Sequence, residues 1–551
     1  MQLSGSRLAP IFSDEMFTLL VRYRCMALTP SFYAKRIGFD RSVLGLSIMF
    51  FLVNAILIAV VPLLPFIDLP NHLAEATVFK YYGAPDNGLD QYYKPVPWYY
   101  PNTFHALFCS WFPSVEAGNK VFHILYIALL QLALLLLVRM FNGNPWYGLL
   151  GLVFTYNYNL TFGFVGFAIS IPVLLFLFFF ILQDFRYDKL LWKFLIALSL
   201  LCLYFMHAQN ALLGLLFYGV LRLIHHRFNL FKSFVKGLPV ALPLIAFIAS
   251  WWWLKDDPAK EGTFDFLLTY YASEFWAEYP KRLYLAVLDN YSVYEGFAGV
   301  AVALLLSFSV LAPLIFFKAL TKKAIGVAWK GENRFLTVLF AASVACYFLL
   351  PERLPGQAPL YQRFSTIVML SLVLIGSVLV REVDARQLKS FVVVLLCVVT
   401  IVWGEYLITF NRQNRDFNAS FLKVDNPDDK LVGLIWDGEY RGRKVYIHFP
   451  NYYIVWHHGT AGSKIIDYRF GIVRRVVPES VLPFYQEYAH ERFVPLMKYD
   501  PAEYFLAREN GQTLTETFFP AARKVRQAGS WVIYRNHTPS MPAEYGRTLV
   551  P

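Results

Sequence analysis

Charge is scarce in this chain. Only 16% of its 551 residues are Asp, Glu, Lys or Arg, where a soluble globular chain carries about a quarter. That shortage excludes a chain that is soluble throughout. Cysteine is scarce too: Cys25, Cys109, Cys202, Cys346 and Cys397 are scattered and form no CxxC pair, which leaves neither a disulfide framework nor a thiolate metal site to read. No helix-turn-helix, zinc-finger or RNA-binding signature is present, so the formal charge of +12 does not argue for a nucleic-acid partner. No nucleophile elbow, Walker loop or dinucleotide fingerprint occurs in context. The chemistry left open needs one base and a preactivated substrate. The sequence also lacks internal repeats and low-complexity tracts.

What is present is apolar residue in blocks. The chain is 57% hydrophobic, with 51 Phe and 35 Tyr, and its apolar residues gather in runs of roughly 18 to 24, the length that crosses a hydrocarbon core of ~30 Å. The runs fall near 43–66, 121–139, 145–162, 164–182, 190–206, 209–224, 235–254, 296–317, 335–350, 364–380 and 390–410. The expected fold is a mostly α, polytopic membrane protein of about eleven spans. Residues 1–42 are too polar and too long before the first run for a cleavable signal peptide, and 16–34 can form an amphipathic helix on the inner face.

Charge then assigns sides. With residues 1–42 cytoplasmic, the inner segments hold Arg22, Arg24, Lys35, Arg139, Arg186, Lys189, Lys232, Lys236, Lys322, Lys323, Arg381 and Lys389, and their basic residues far outnumber those of the outer loops. By the positive-inside rule the expected organisation is a transmembrane domain over 43–410, with long outer loops at 67–118 and 255–295. An extracytoplasmic α+β domain is expected over 411–551, with β-type runs at Leu431–Trp436, Lys444–Phe449, Tyr452–Trp456, Ile465–Phe470 and Trp531–Tyr534. The first outer loop is read as short helices, Asn71–Tyr82 among them, separated by turns.

Polar residues collect at the outer span ends: Asp68, Asn71, His72, Glu75, Asn157, Asn159, His207, Asn210, Asp256, Asp257, Glu352, Arg353 and Arg363. Asp68 sits where the first span leaves the membrane, and a partly desolvated carboxylate there suits removal of a proton from a hydroxyl. The same residue, ahead of Pro70, is also suited to cap the next helix. His72 and Glu75 follow at i+4 and i+7 on one helical face. They can orient an acceptor, hold a divalent ion (Mg or Mn) with Asp68, or form a solvated face. Arg363 can grip a phosphate bidentately or snorkel as an interface anchor. His207 is a site residue or a packing residue. His225-His226 reads as a solvated face and His457-His458 as packing rather than metal ligands.

This arrangement resembles the GT-C superfamily of integral membrane glycosyltransferases, enzymes of the bacterial inner membrane or the endoplasmic reticulum. The resemblance rests on Asp68 in Asp-Leu-Pro-Asn-His, the helical first outer loop, Arg363 at a late outer span end and the extracytoplasmic C-terminal domain. The chain departs from the pattern in having no paired acidic residues after the first span and no Trp-Trp-Asp of the oligosaccharyltransferase type. The resemblance implies inverting transfer from a polyprenyl-phosphate sugar to a hydroxyl of a lipid, glycan or protein. In that scheme Asp68 is the base, and Asn71, His72, Glu75, His207, Arg353 and Arg363 bind acceptor or donor, at the outer face of a bacterial inner membrane. The alternative is a transporter or flippase, but those usually carry repeats and ionisable residues at mid-membrane.

Overall fold

The computed structural model describes residues 41–85, 88–254, 263–288, 296–317, 326, 331–354, 358–426, 428–462, 471–476, 502–509, 511 and 514–537. The expected helix over 16–34, Cys25, Asp256, Asp257 and the run Ile465–Phe470 lie outside them. The chain divides into a short unit, Met1–Leu44, described only where the first helix begins, and the body Gly45–Pro551.

The helices run α1 (Arg41–Val60), the short α2 (Leu69–Tyr81) and α3 (Phe104–Ser110), then α4 (Val115–Met140). Next come α5 (Val165–Tyr187), α6 (Leu190–Met206), α7 (Ala208–His225) and α8 (Leu230–Leu254). After α9 (Phe275–Leu288) follow α10 (Gly296–Phe316), α11 (Arg334–Leu349), α12 (Ser365–Leu379) and α13 (Ala385–Gln413). Among the described residues, eight helical stretches are long and apolar enough to cross a membrane: α1, α4, α5, α8, α10, α13, and α11 and α12 taken with the 3-10 turns that lead into them (Gly331–Leu349 and Tyr361–Leu379). α6 is apolar but shorter. The protein is thus mostly helical, with several helices fit to span a membrane.

Burial sorts the helices. The apolar windows of α5 and α12 are 78% buried, while those of α1 and α8 are 33% and 28% buried and expose Ile56, Val60, Phe231 and Trp253. Apolar faces of that extent suit lipid rather than water. Between helices in lipid the hydrophobic drive is absent, and polar pairs and close packing take over. Ser47 Oγ donates to Gln131 Oε1 at 3.0 Å, Tyr156 Oη to Asn54 Oδ1 at 2.7 Å, and Asn210 Nδ2 to Ser170 Oγ at 2.6 Å. Buried Asp184 in turn faces Arg222 at 3.6 Å and Lys193 at 3.0 Å.

The segment 145–162, expected as a continuous span, is not one. It breaks into a helical turn Pro145–Gly148, a 3-10 stretch Leu149–Phe154 and a short helix Tyr158–Phe162. Asn144 and Asn157 each cap a piece, accepting from backbone N–H groups two and three residues on. Such side chains compete with helix continuation, and apolarity alone does not reveal the break. Residues 146–157 are buried throughout, the condition under which irregular backbone survives at membrane depth. One end of the segment is tied to the α12–α13 connection, where Asn144 Nδ2 donates to the carbonyls of Val380 and Val383. The other end reaches Asp68, whose N–H donates to Phe162 O at 3.0 Å.

The C-terminal part carries a five-stranded sheet. β1 (Tyr93–Pro95) lies apart from it and pairs antiparallel with β4 (Val473–Arg475), tying the 67–118 segment to the C-terminal part. The main sheet has the order β3–β2–β5–β7–β6, from β2 (Lys430–Ile435), β3 (Thr460–Ala461), β5 (Tyr504–Arg508), β6 (Arg523–Ala528) and β7 (Trp531–Arg535). β2 is parallel to β3 and β5, while β7 is antiparallel to β5 and β6. One face packs Val432, Leu434, Phe505, Val532 and Tyr534 with Phe519. β2 is buried on both faces, which explains its unbroken apolar run. At Gly433 an added Cβ would sit 2.3 Å from Pro450 Cγ, so a glycine is needed for the 448–451 turn to approach. Two expected strands are corrected here. Lys444–Phe449 is turn leading into the 3-10 helix Phe449–Asn451, and Tyr452–Trp456 lies in helix α14 (Tyr452–His457). Pro450, with its fixed φ and no N–H to give, suits the first turn of that 3-10 helix rather than a sheet ladder.

Candidate active site at the Asp68 turn

Asp68 ends the stretch that follows α1 and stands at the N-cap position of α2. Its side chain makes no capping bond; its backbone is helical (φ −87°, ψ −2°), not the extended form of a capping residue. The carboxylate instead faces His448, a fully buried residue of the C-terminal part, whose Nε2 lies 3.3 Å from Asp68 Oδ1. One turn along α2, Asn71 Oδ1 accepts from Asn451 Nδ2, and the Tyr81 and His458 rings meet at 4.5 Å. The turn admitted by Gly433 therefore seats His448 and Asn451 on α2 and covers Asp68, which is 8% exposed.

His72 Nδ1 and Glu75 Oε2 are 2.9 Å apart. Burial disfavours the imidazolium, yet the Glu75 hydrogen bond and the charges of Glu75 and Asp68 outweigh it and raise the His72 pKa above its ordinary 6.5. Below His72, at a ring distance of 5.9 Å, His105 is held well below that value by burial and by the neighbouring His72 charge. The stability contributed by protonated His72 is complete below about pH 6.5 and is lost as pH rises through the higher folded-state value. The thermal midpoint is expected to fall across that alkaline-going window in the wild type. His72→Gln flattens this step, and an unchanged pH dependence in that variant contradicts the pairing.

Arg363 lies in the 3-10 turn Tyr361–Phe364 and is 7% exposed. Its Nη1 donates to His207 Nε2 at 2.9 Å and to Gln209 Oε1 at 3.3 Å, and its Cζ stands 3.9 Å over the Phe164 ring. To accept from a guanidinium His207 must be neutral, with its proton on Nδ1. Burial first, then Arg363 and His72, hold its pKa well below the ordinary range. His207 Nδ1 is buried without a hydrogen-bond partner among the described residues.

The Asn157–Phe164 segment joins the two halves. Thr161 O and Phe162 O accept from the Ile67 and Asp68 N–H groups, while Asn159 Nδ2 donates to Arg363 O at 2.9 Å. Gly163, at φ +93°, permits this: a Cβ there would lie 2.6 Å from Asp68 N. Gly163→Ala is expected to cost roughly 1–2 kcal/mol for the left-handed backbone, with a further ~1–3 kcal/mol for the overlap. A thermal midpoint equal to wild type would remove Gly163 from this role.

Asp68, Asn71, His72 and Glu75 share one turn-and-helix, and Arg363 is linked to them through Asn159, Phe162 and Phe164. Arg353 is not brought in; it is exposed and pairs with Glu274 at 2.9 Å. Asn157 and Asn210 bond within the helical body. His225 stacks on Phe185 at 4.2 Å, and His457 bonds Ala419 O at 2.7 Å. Among the described residues no three His, Cys, Asp or Glu side chains form a metal-binding group: Glu75 is taken by His72 and Asp68 faces His448, so a divalent ion on Asp68, His72 and Glu75 does not fit. Sequence reasoning missed His448, Asn451, Gln209 and Phe164; only Pro450, which breaks the strand reading beside His448, could have drawn attention to the first two. A cavity of about 500 Å³ lies elsewhere, lined in part by Leu63, Glu116, Lys120, Arg415, Tyr452 and Trp456. Comparison of the chain with protein-family models and with curated proteins finds no match, so what the site does must be read from its own residues.

Proposed function

We propose that the protein is an inverting glycosyltransferase of the GT-C type, taking a sugar from a polyprenyl-phosphate donor to a hydroxyl of a lipid, glycan or protein. It works at the outer face of a membrane, most simply a bacterial inner membrane, with the C-terminal part outside. The observation that carries this reading is the anchoring of a carboxylate residue, Asp68, on Phe162 O and of a cation, Arg363, over the Phe164 ring, two residues apart on either side of Gly163.

In the reaction the acceptor oxygen attacks the anomeric carbon while Asp68 takes the hydroxyl proton. The bond from that carbon to the phosphate oxygen breaks, and its electron pair leaves with the phosphate, whose charge Arg363 stabilises. His448 on Asp68 Oδ1 orients the carboxylate and leaves Oδ2 for the acceptor. His207 holds the Arg363 fork without adding a competing charge. The donor's prenyl chain lies in a groove between spans.

The test uses the full chain in lipid nanodiscs with a panel of decaprenyl-phosphate sugars, reading the release of decaprenyl phosphate. Turnover with at least one donor that depends on Asp68 supports the proposal. Turnover that is indifferent to Asp68→Asn, or none with any donor, overturns it.

A further inference from the structure

Tyr361, two residues before Arg363 in the same turn, rests on a second, wholly buried arginine. Arg282 of α9 is 0% exposed. Its Nη1 donates to Leu350 O at 2.5 Å and Phe348 O at 3.3 Å, where α11 ends and carbonyls lack helical partners. Its Nη2 donates to Tyr270 Oη at 2.7 Å; that hydroxyl donates to Glu278 Oε2 at 2.5 Å and accepts from Glu352 N at 3.0 Å. Glu278 also pairs with Arg282 at 3.6 Å. The guanidinium lies 4.1 Å from the centre of the Tyr361 ring, and Tyr361 in turn meets Tyr347 edge-on at 5.1 Å. The next residue, Gln362, donates to Glu352 Oε1 at 3.4 Å, and Glu352 O accepts from Leu360 N at 2.9 Å.

We propose that Arg282 is a positioning residue for Arg363: it joins the end of α11, the Tyr270–Glu278–Glu352 cluster and the Tyr361 ring into one support that fixes the Tyr361–Phe364 turn. An arginine is required because the task combines several donors in one plane with a flat face for an aromatic ring; lysine offers the charge without the plane. The consequence is that α9, which touches neither Asp68 nor Arg363 in any contact described above, sets how well the phosphate is held. This inference rests on the reading of Arg363 as the phosphate-binding cation.

The experiment measures the affinity of the full chain in detergent for decaprenyl monophosphate, well below the unfolding midpoint, together with amide hydrogen exchange over residues 361–366. Arg363→Met and Arg282→Lys are each expected to weaken binding by about tenfold or more, and the double variant no further than Arg363→Met alone, because both act through one group. Exchange over 361–366 accelerates in Arg282→Lys without lipid. Tyr361→Leu, which removes the ring and leaves Arg282 its other bonds, reproduces both effects should Arg282→Lys fold poorly. Additive losses in the double variant, or unchanged exchange over 361–366, overturn the proposal; a merely stabilising Arg282 lowers the thermal midpoint but leaves the folded protein's affinity intact. Faster exchange in Arg282→Lys with binding unchanged in Arg363→Met instead refutes the phosphate role and leaves the support of the turn standing.

Discussion

Asp68→Asn is expected to lower sugar transfer by about 10²–10⁴-fold, the contribution typical of a positioned general base, while the protein inserts and folds as before. The amide keeps the shape of the carboxylate but has no capacity to take the acceptor proton. Folding is spared because Asp68 makes no capping bond and its backbone N–H, which holds Phe162 O, is unchanged. Asp68→Ala should behave alike in transfer but also strips His448 of its facing carboxylate, so its thermal midpoint falls below that of Asp68→Asn. Comparing the two variants separates chemistry from packing. Wild-type transfer in Asp68→Asn removes Asp68 from the base role.

Arg363→Met is expected to lower transfer by about 10²–10³-fold, the usual loss when a donor to a developing anion is removed. Methionine keeps an unbranched apolar stem of comparable reach but cannot offer a phosphate a paired set of donors. The substitution also frees His207 Nε2 from its guanidinium donor, but burial is the larger reason that His207 stays neutral, so the imidazole does not replace the lost charge and the loss is expected at pH 6 as at pH 8. Turnover by the release assay checks this, and wild-type turnover in Arg363→Met would remove Arg363 from the phosphate role.

Much of this was legible beforehand and some was not, for identifiable physical reasons. Helices such as α1, α4 and α5 announce themselves by unbroken apolar length, which the bilayer demands. Asp68 is legible because it stands where the first span leaves the membrane, where a carboxylate is partly desolvated and suited to act as a base. The segment 145–162 carried the same apolar signal as a span, yet Asn144 and Asn157 cap short pieces inside it, and composition does not distinguish a buried irregular segment from a lipid-facing helix. His448 was hidden for a different reason. It meets Asp68 where Pro450 packs against Gly433 of β2, and Asp68 and His448 are distant in the chain, with no local signature. Arg282 was hidden likewise, since the carbonyls of Phe348 and Leu350 that it bonds lie far along the sequence.

The central claim, one site shared by Asp68 and Arg363, is tested most directly by locating the phosphate in a structure of the full chain with decaprenyl monophosphate bound. The predicted density places the phosphate on the Arg363 guanidinium beside His207, with its open side toward Asp68. Phosphate density in the cavity lined by Lys120 and Arg415, with none at Arg363, contradicts it.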